Sequence, residues 1–198
     1  MKITERILLL FAVIGIILSL IPIPGGNMLT ILALGLLAML YFYFGFAFFN
    51  GIRTRDMFKK SSYAGIKGVR IPGAIFTGML LSVAVVGILF KVMMWPGASF
   101  MLLVGIVPFF VLTLTTILKY SGNKDGYYKR IFVRTIVFGS VSLLLYLLPA
   151  NTILKIKYRC CPEYVNAVTA ASQDPENEAL QQKAREEEEK MNGMEGNE

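Results

Sequence analysis

The residues best suited to chemistry lie between Lys91 and Ser99, in the segment KVMMWPGAS. Apolar runs flank this segment on both sides, and Trp95 follows Lys91 by about one helical turn. In a membrane, this amine can extend to the surface along its flexible stem or lie over the indole ring as a cation–π pair. Alternatively, it faces an ion path or pairs with a partner, because charges inside a bilayer are costly and usually functional. We therefore select Lys91, Trp95, Pro96 and Gly97 as candidate functional residues.

The commonest general base and the common catalytic motifs are missing from the chain. The chain has no histidine, and its two cysteines, Cys160 and Cys161, are adjacent, a spacing that fits neither a zinc site nor a disulfide framework. It carries no nucleophile elbow, phosphate-binding loop or metalloprotease motif. No acidic residue is expected within a span to relay a proton. We therefore expect a protein that is not an enzyme, that uses no cofactor or metal, and that does not form a self-contained proton channel.

Composition indicates a membrane protein. Of 198 residues, 55% are hydrophobic and 17% are charged, whereas charged residues make up about a quarter of ordinary soluble domains. The formal net charge is +7, and the basic residues are concentrated in loops beside apolar segments. That distribution is typical of membrane topology and not of nucleic-acid binding.

The apolar runs predict an all-α integral membrane bundle of about five transmembrane helices followed by a short soluble helical tail. We expect the first run to be retained, because no signal-peptide cleavage site follows it. The predicted spans are 7–21, 28–49, 71–94, 100–118 and 131–148. They define a first transmembrane hairpin (1–49), a basic loop (50–70), a second hairpin (71–118), a second basic loop (119–130), a fifth helix (131–150) and a polar helical tail (151–198).

Charge in the loops predicts the orientation. The two hairpin turns, 22–27 and 95–99, carry no charge, whereas both alternate loops are rich in lysine and arginine. The positive-inside rule then places the basic loops and the N-terminus in the cytoplasm. Near the ends of spans, we expect Tyr41 and the aromatic residues after it to form an interfacial belt, and Arg134 to extend to the headgroups.

The two hairpins form an internal repeat. A shift of 72 residues places Pro24 on Pro96 and Gly25 on Gly97, so each unit reads as helix, Pro-Gly turn, helix and basic loop. Asn27 and Ser99 are expected to cap the helices that follow. A fainter third copy begins in the fifth span, with a matching turn at 149–151 and its second helix replaced by a short segment.

The tail is predicted to form a helical hairpin. Apolar residues at helical spacing indicate a helix over 161–172. Asp174 followed by Pro175 then predicts the start of a second helix, which runs to about Met191. Because this second helix offers few apolar residues, we expect a solvated hairpin.

Around the second turn, Phe90, Lys91, Trp95, Pro96, Gly97 and Ala98 resemble the F-K-x-x-H-W-P-G-A signature of small multi-span inner-membrane proteins of Bacteroidota, distantly similar to the gliding-motility protein GldL. The resemblance covers about ten residues and their hairpin, and Met94 stands where the family has histidine. The resemblance implies a subunit of an envelope complex. Resemblance to the better-known relative would imply a proton-driven motor subunit that carries a membrane glutamate.

Two functions remain open from the sequence. The first is a non-enzymatic assembly or envelope-complex subunit of the bacterial inner membrane, in contact with the lipid bilayer and with a membrane-protein partner or a second copy of itself. The alternative is an ion channel or transporter component in which Lys91 faces a polar path. The side of the C-terminal tail also stays open.

Overall fold

The computed structural model describes residues 2–21, 23–52, 56, 59–63, 68, 70–122 and 126–195. Within these ranges the chain is all-helical, without a strand. Its helices are α1 (Lys2–Leu20), α2 (Gly26–Asn50), α3 (Arg70–Val92), α4 (Ala98–Gly122), α5 (Gly126–Leu147), α6 (Ala150–Lys157), α7 (Pro162–Gln173) and α8 (Glu178–Glu195), and a 3-10 helix lies at Lys60–Tyr63.

Helices long and apolar enough to cross a membrane dominate the first three quarters of the chain. Among the described residues there are four such segments: Ile3–Leu20, Gly26–Asn50, Arg70–Val92 and Gly126–Leu147. The prediction of an all-α membrane bundle with a helical tail is confirmed. The fourth predicted span lies in α4, which has 25 residues. Several α4 side chains fall outside the described set, so its crossing stays a prediction.

Two compact units divide the chain, residues 1–19 with 23–148 and residues 20–22 with 149–198. In the first unit, α3 packs against α2, α4 and α5. Its fully buried side chains include Leu37, Tyr41, Phe49, Val85 and Leu102. Large apolar side chains such as Leu10, Leu36 and Phe76 are exposed, as expected for a surface in contact with lipid.

The hairpin repeat is visible in the backbone. Helix α2 spans residues 26–50 and α4 spans 98–122, so both ends differ by 72 positions. Gly25 and Gly97 have left-handed φ angles of 88° and 82°, a conformation that glycine adopts at no steric cost. Each accepts a backbone hydrogen bond of 3.0 Å, from Leu29 and Met101 respectively. The two turns therefore share one geometry.

Asn27 does not cap α2, contrary to the prediction. The helix begins at Gly26, its N-cap residue is Gly25, and that cap has no side-chain hydrogen bond. Asn27 lies in the first turn, where its Oδ1 accepts a 2.6 Å hydrogen bond from the Ser19 hydroxyl. The Asn27 side chain therefore links the two helices of the hairpin, and the N-cap position of α2 is occupied by the backbone of the turn.

Small residues let the helices approach closely. A Cβ atom added to Gly15 would lie 2.8 Å from the backbone nitrogen of Thr30, and one added to Gly87 would lie 3.1 Å from that of Leu102. These two contacts are also related by the shift of 72. Between α2 and α3, a Cβ on Gly78 would lie 2.6 Å from the Tyr41 carbonyl oxygen. Backbone contact at such crossings is typical of membrane helices.

The tail contains the short helix α6 and a hairpin in which α7 packs against α8. Val165, Ala167 and Ala171 are buried on α7, and Met191 is buried on α8. The predicted helix start at Asp174 is wrong, because Asp174 is the C-cap of α7. Helix α8 begins at Glu178, and the side chain of Asn177 accepts a 3.4 Å hydrogen bond from the Leu180 N–H, which makes Asn177 the capping residue.

Candidate functional site

Lys91 is buried near the end of α3, with 7% of its surface exposed. Its ammonium donates a 3.2 Å hydrogen bond to the carbonyl oxygen of Leu148, just after α5. The last carbonyls of a helix lack partners within it, and they carry partial negative charge that favours a cation. Lys91 therefore links α3 to the end of α5. This contact is not among the roles suggested by the sequence, which were a surface anchor, a cation–π pair, an ion path or pairing with a partner.

Trp95 makes a different contact from the one predicted. Its ring stands edge-on to the Phe90 ring at a centroid distance of 5.1 Å, and 40% of its surface is exposed. Pro96 and Gly97 form the exposed turn. The structure thus places Lys91, Trp95, Pro96 and Gly97 along one helix end and turn, but it brings only Lys91 into the bundle.

The turn after α3 is closed by its backbone. The Trp95 N–H donates to the Phe90 carbonyl at 2.9 Å, and the Met94 N–H donates to the Lys91 carbonyl at 3.2 Å. This is the Schellman pattern of a helix C-terminus, in which the residue at the position of Met94 adopts a left-handed conformation. Met94 has a φ of 57°, the one positive φ of a non-glycine residue within the described ranges. Glycine is the usual residue there.

Ser19 occupies the position of Lys91 in the first hairpin. Both side chains are buried, with 2% and 7% of their surface exposed. Ser19 bonds to Asn27 inside its own hairpin, whereas Lys91 reaches Leu148 on another helix. The long side chain in the second copy therefore adds a contact with α5.

A buried ionic cluster joins α1, α2 and α5. Arg134 donates from Nε to Glu5 Oε1 and from NH2 to Glu5 Oε2, both at 2.7 Å. The Tyr41 hydroxyl donates to Glu5 Oε1 at 2.6 Å. Glu5 is 6% exposed and Tyr41 is fully buried. The carboxylate thus accepts three hydrogen bonds, two of them in the bidentate geometry in which arginine binds carboxylates most strongly.

Arg134 has further partners inside the bundle. Its NH1 donates to the Arg130 carbonyl at 2.9 Å, and its guanidinium carbon lies 4.2 Å from the centroid of the Phe48 ring. The Tyr41 ring packs edge-on against Phe138 at 5.4 Å. Tyr41 and Arg134 therefore face the interior of the bundle, where both bind Glu5; that they lie at headgroup depth stays a prediction. The candidate span Ile3–Leu20 includes Glu5, so the expectation that no span contains an acidic residue is wrong.

The sequence held a signal for this pair. Glu5 and Arg134 each lie close to the predicted cytoplasmic end of an apolar run, so the topology predicted from loop charge places them at similar depth. Two opposite charges at one depth of a helical bundle are expected to pair, because an isolated charge there is costly. We missed the pair because we placed the start of the first span at Ile7 and counted Glu5 with its flank.

A second arginine lies at the same end of the bundle. Arg130 donates from Nε to the Phe49 carbonyl at 2.9 Å, close to the end of α2. The guanidinium of Arg70 lies 5.2 Å from the centroid of the Tyr127 ring. Arg130 therefore binds the C-terminus of α2 much as Lys91 binds the end of α5.

Some buried hydroxyl groups of this unit could mark a polar path. Among the described residues, the buried hydroxyls of Thr113, Thr135 and Ser142 lack a hydrogen-bond partner. Thr135 and Gly139 line a cavity of about 10 Å³ between α3, α4 and α5, room for about one water molecule. Lys91 does not line this cavity. The side chain of Thr116, which could extend a polar path, lies outside the described residues.

The cysteines lie in the tail, where the Sγ atoms of Cys160 and Cys161 are 3.2 Å apart and Cys160 is exposed. Beside them, burial raises the pKa of the Tyr164 hydroxyl to about 12, with smaller contributions from Tyr158 and Glu188. The described residues contain no group of three or more cysteine and acidic side chains that could hold a metal ion.

Fold and site together define the class of protein as an all-α integral membrane protein with a helical tail, held by ionic contacts inside its bundle. Compared with known protein families, curated proteins and solved structures, the chain matches none of them.

Proposed function

We propose that this protein is a non-enzymatic subunit of the bacterial inner membrane that assembles with other envelope proteins or with a second copy of itself. The observation that carries the proposal is the internal pairing of charge. Lys91 donates to Leu148, and Glu5 is bound by Arg134 and Tyr41. Side chains that bind in this way fix the helices, and Lys91 and Glu5 are thereby engaged inside the bundle.

The alternative, an ion channel or transporter component that uses Lys91, is less well supported. A path residue needs a hydrated cavity in front of its charge, whereas Lys91 is buried against the end of α5 and does not line the small cavity between α3 and α5. Glu5 adds to the similarity to GldL-like proteins, because it is a glutamate within the first helix and the better-known relative carries a membrane glutamate. Its bidentate pairing with Arg134 favours a structural role.

A flux assay separates these functions. The full chain is reconstituted in liposomes that contain a pH-sensitive dye, and an ion gradient is applied. We expect the wild type, Lys91→Leu and empty liposomes to show equal proton and cation flux. Flux above that of empty liposomes, abolished by Lys91→Leu in protein that inserts normally, would establish the channel alternative.

The proposed orientation places the N-terminus and both basic loops in the cytoplasm, and five crossings place the tail outside. The chain contains a built-in probe, because its two cysteines are adjacent in the tail and Cys160 is exposed. A membrane-impermeant maleimide added to spheroplasts should label the wild type and leave a Cys160→Ser, Cys161→Ser variant unlabelled. Labelling of the wild type only after lysis would place the tail inside.

A further inference from the structure

The two cysteines of the tail place their sulfur atoms in contact. They lie in the turn between α6 and α7, where the two Sγ atoms are 3.2 Å apart and Cys160 is exposed. Hydrogen bonds hold the backbone of Cys161 on both sides, because its N–H donates to the Tyr158 carbonyl at 3.0 Å and its carbonyl accepts from the Val165 N–H at 3.2 Å. A hydrogen-bonded segment of backbone therefore presents the two sulfurs side by side.

This arrangement fits a disulfide poorly. The Cα atoms of adjacent residues are about 3.8 Å apart across a trans peptide, whereas disulfides usually join Cα atoms about 4.4–6.8 Å apart. A bond between the sulfurs would also have to shorten their separation from 3.2 Å to about 2.05 Å. The pair is therefore better suited to share a third atom than to form a bond of its own.

The distance between the sulfurs selects the kind of atom that bridges them. With bonds to sulfur of about 2.3 Å, the length found for zinc, two sulfurs 3.2 Å apart define an angle of about 90° at the bridging atom. A tetrahedral ion would need sulfurs about 3.8 Å apart, and a linear one about 4.6 Å. Three bonds at nearly right angles form a pyramid, which is the geometry of trivalent arsenic.

The surroundings of the pair also disfavour a zinc site. A structural zinc ion takes four protein ligands, and the part of the chain that the structure describes contains no group of three or more cysteine and acidic side chains that could hold a metal ion. Trivalent arsenic needs only the two sulfurs, because its third bond goes to a hydroxyl or an organic group.

We propose that Cys160 and Cys161 bind trivalent arsenic, as arsenite or an organic arsenical, through both sulfur atoms. With arsenite, two As–O bonds and two S–H bonds break, two As–S bonds form and two water molecules leave. Arsenic stays trivalent, so the step needs no oxidant. Thiolate sulfur prefers soft centres of this kind. Pro162, Tyr164 and Met191 line a pocket with both cysteines, which places apolar side chains beside an organic group on the arsenic.

The test uses purified full-length protein in detergent, reduced and then freed of reductant under inert gas. Phenylarsine oxide is the probe, and intact-protein mass spectrometry is the readout. We expect the wild type to take up one phenylarsenic group and to lose both maleimide-reactive thiols. The group should leave on addition of ethanedithiol, which offers two sulfurs, and should stay in the same concentration of mercaptoethanol, which offers one.

The matched controls are Cys160→Ser and Cys161→Ser, because each keeps one thiol and removes the second bond to arsenic. Two linked bonds raise affinity about a hundredfold or more over one, so we expect each single variant to bind phenylarsine oxide more weakly than the wild type by about that factor. The double variant should take up none. A thermal melt of each variant verifies its fold.

Three results would overturn the proposal. In the first, a variant with one cysteine binds phenylarsine oxide as tightly as the wild type. In the second, an equal concentration of zinc displaces the arsenic from the wild type, which would indicate a tetrahedral site. In the third, wild type prepared without reductant takes up the probe only after reduction, which would show that the pair exists as a disulfide.

Discussion

Glu5 and Arg134 are 129 positions apart and share two hydrogen bonds of 2.7 Å inside the bundle. Together they join the first helix to the fifth. Each charge is stabilised by the other, and the carboxylate is further held by Tyr41. In a low-dielectric environment, either partner without the other would be an uncompensated charge.

Removing the Tyr41 hydroxyl should weaken the cluster. Tyr41→Phe keeps the ring against Phe138 but takes one hydrogen bond from a buried carboxylate, so we expect a loss of about 1–3 kcal/mol in the free energy of unfolding. Tyr43→Phe is the control, because Tyr43 is 70% exposed, and it should change stability little. Unfolding in mixed micelles measures both variants, and equal stability of the two would show that the Tyr41 hydroxyl contributes nothing.

A negative charge at position 91 should destabilise the protein far more than a neutral side chain of similar length. Lys91→Glu places a carboxylate against the Leu148 carbonyl and the negative end of α5, so we expect it to reduce stability by about 3 kcal/mol or more. Lys91→Met should cost only about 1 kcal/mol, because the lost hydrogen bond is offset by removal of a buried charge. A thermal melt in detergent compares the two variants. A Met variant as unstable as the Glu variant would contradict the contact between the Lys91 ammonium and the Leu148 carbonyl.

Met94→Gly is predicted to stabilise the protein. The φ of 57° at Met94 is unfavourable for any residue with a Cβ atom, so glycine should gain about 0.5–1 kcal/mol. Met93→Gly, one residue earlier, is the control and should destabilise, because Met93 is buried. The two melting temperatures should therefore shift in opposite directions, and a downward shift for Met94→Gly would refute the assigned turn.

The crossing of α2 and α3 should tolerate no added methyl group at Gly78. Gly78→Ala would place Cβ 2.6 Å from the Tyr41 carbonyl oxygen, so we expect a loss of about 1–3 kcal/mol from overpacking. Gly35→Ala has open space around its Cβ and should gain stability through its higher helix propensity. If both alanine variants shift stability equally, the close crossing is wrong.

Much of the fold could be predicted from the sequence, because apolar runs and Pro-Gly turns depend on local composition. The repeat at Gly25 and Gly97 was likewise visible, since both copies carry the same turn residues. The partners of the charged side chains could not be predicted, because they depend on which helices pack against each other. Lys91 was selected because it is a charge within an apolar run, yet its acceptor is a main-chain carbonyl, which has no signature in the sequence.

Helix starts were also predicted poorly. At Asp174 the expected cap lies three residues before the residue that caps α8, and at Asn27 a glycine backbone replaces the expected side chain. Several side chains in each turn can satisfy the same N–H groups, so the choice between them depends on the contacts of the turn.

The central claim, that charges inside the bundle hold its helices together, is tested most directly by a double-mutant cycle on Glu5 and Arg134. Unfolding free energies are measured in mixed micelles for the wild type, Glu5→Leu, Arg134→Leu and the double variant. We predict that each single variant loses about 3–5 kcal/mol, whereas the double variant is more stable than either. Losses that simply add in the double variant would contradict the account.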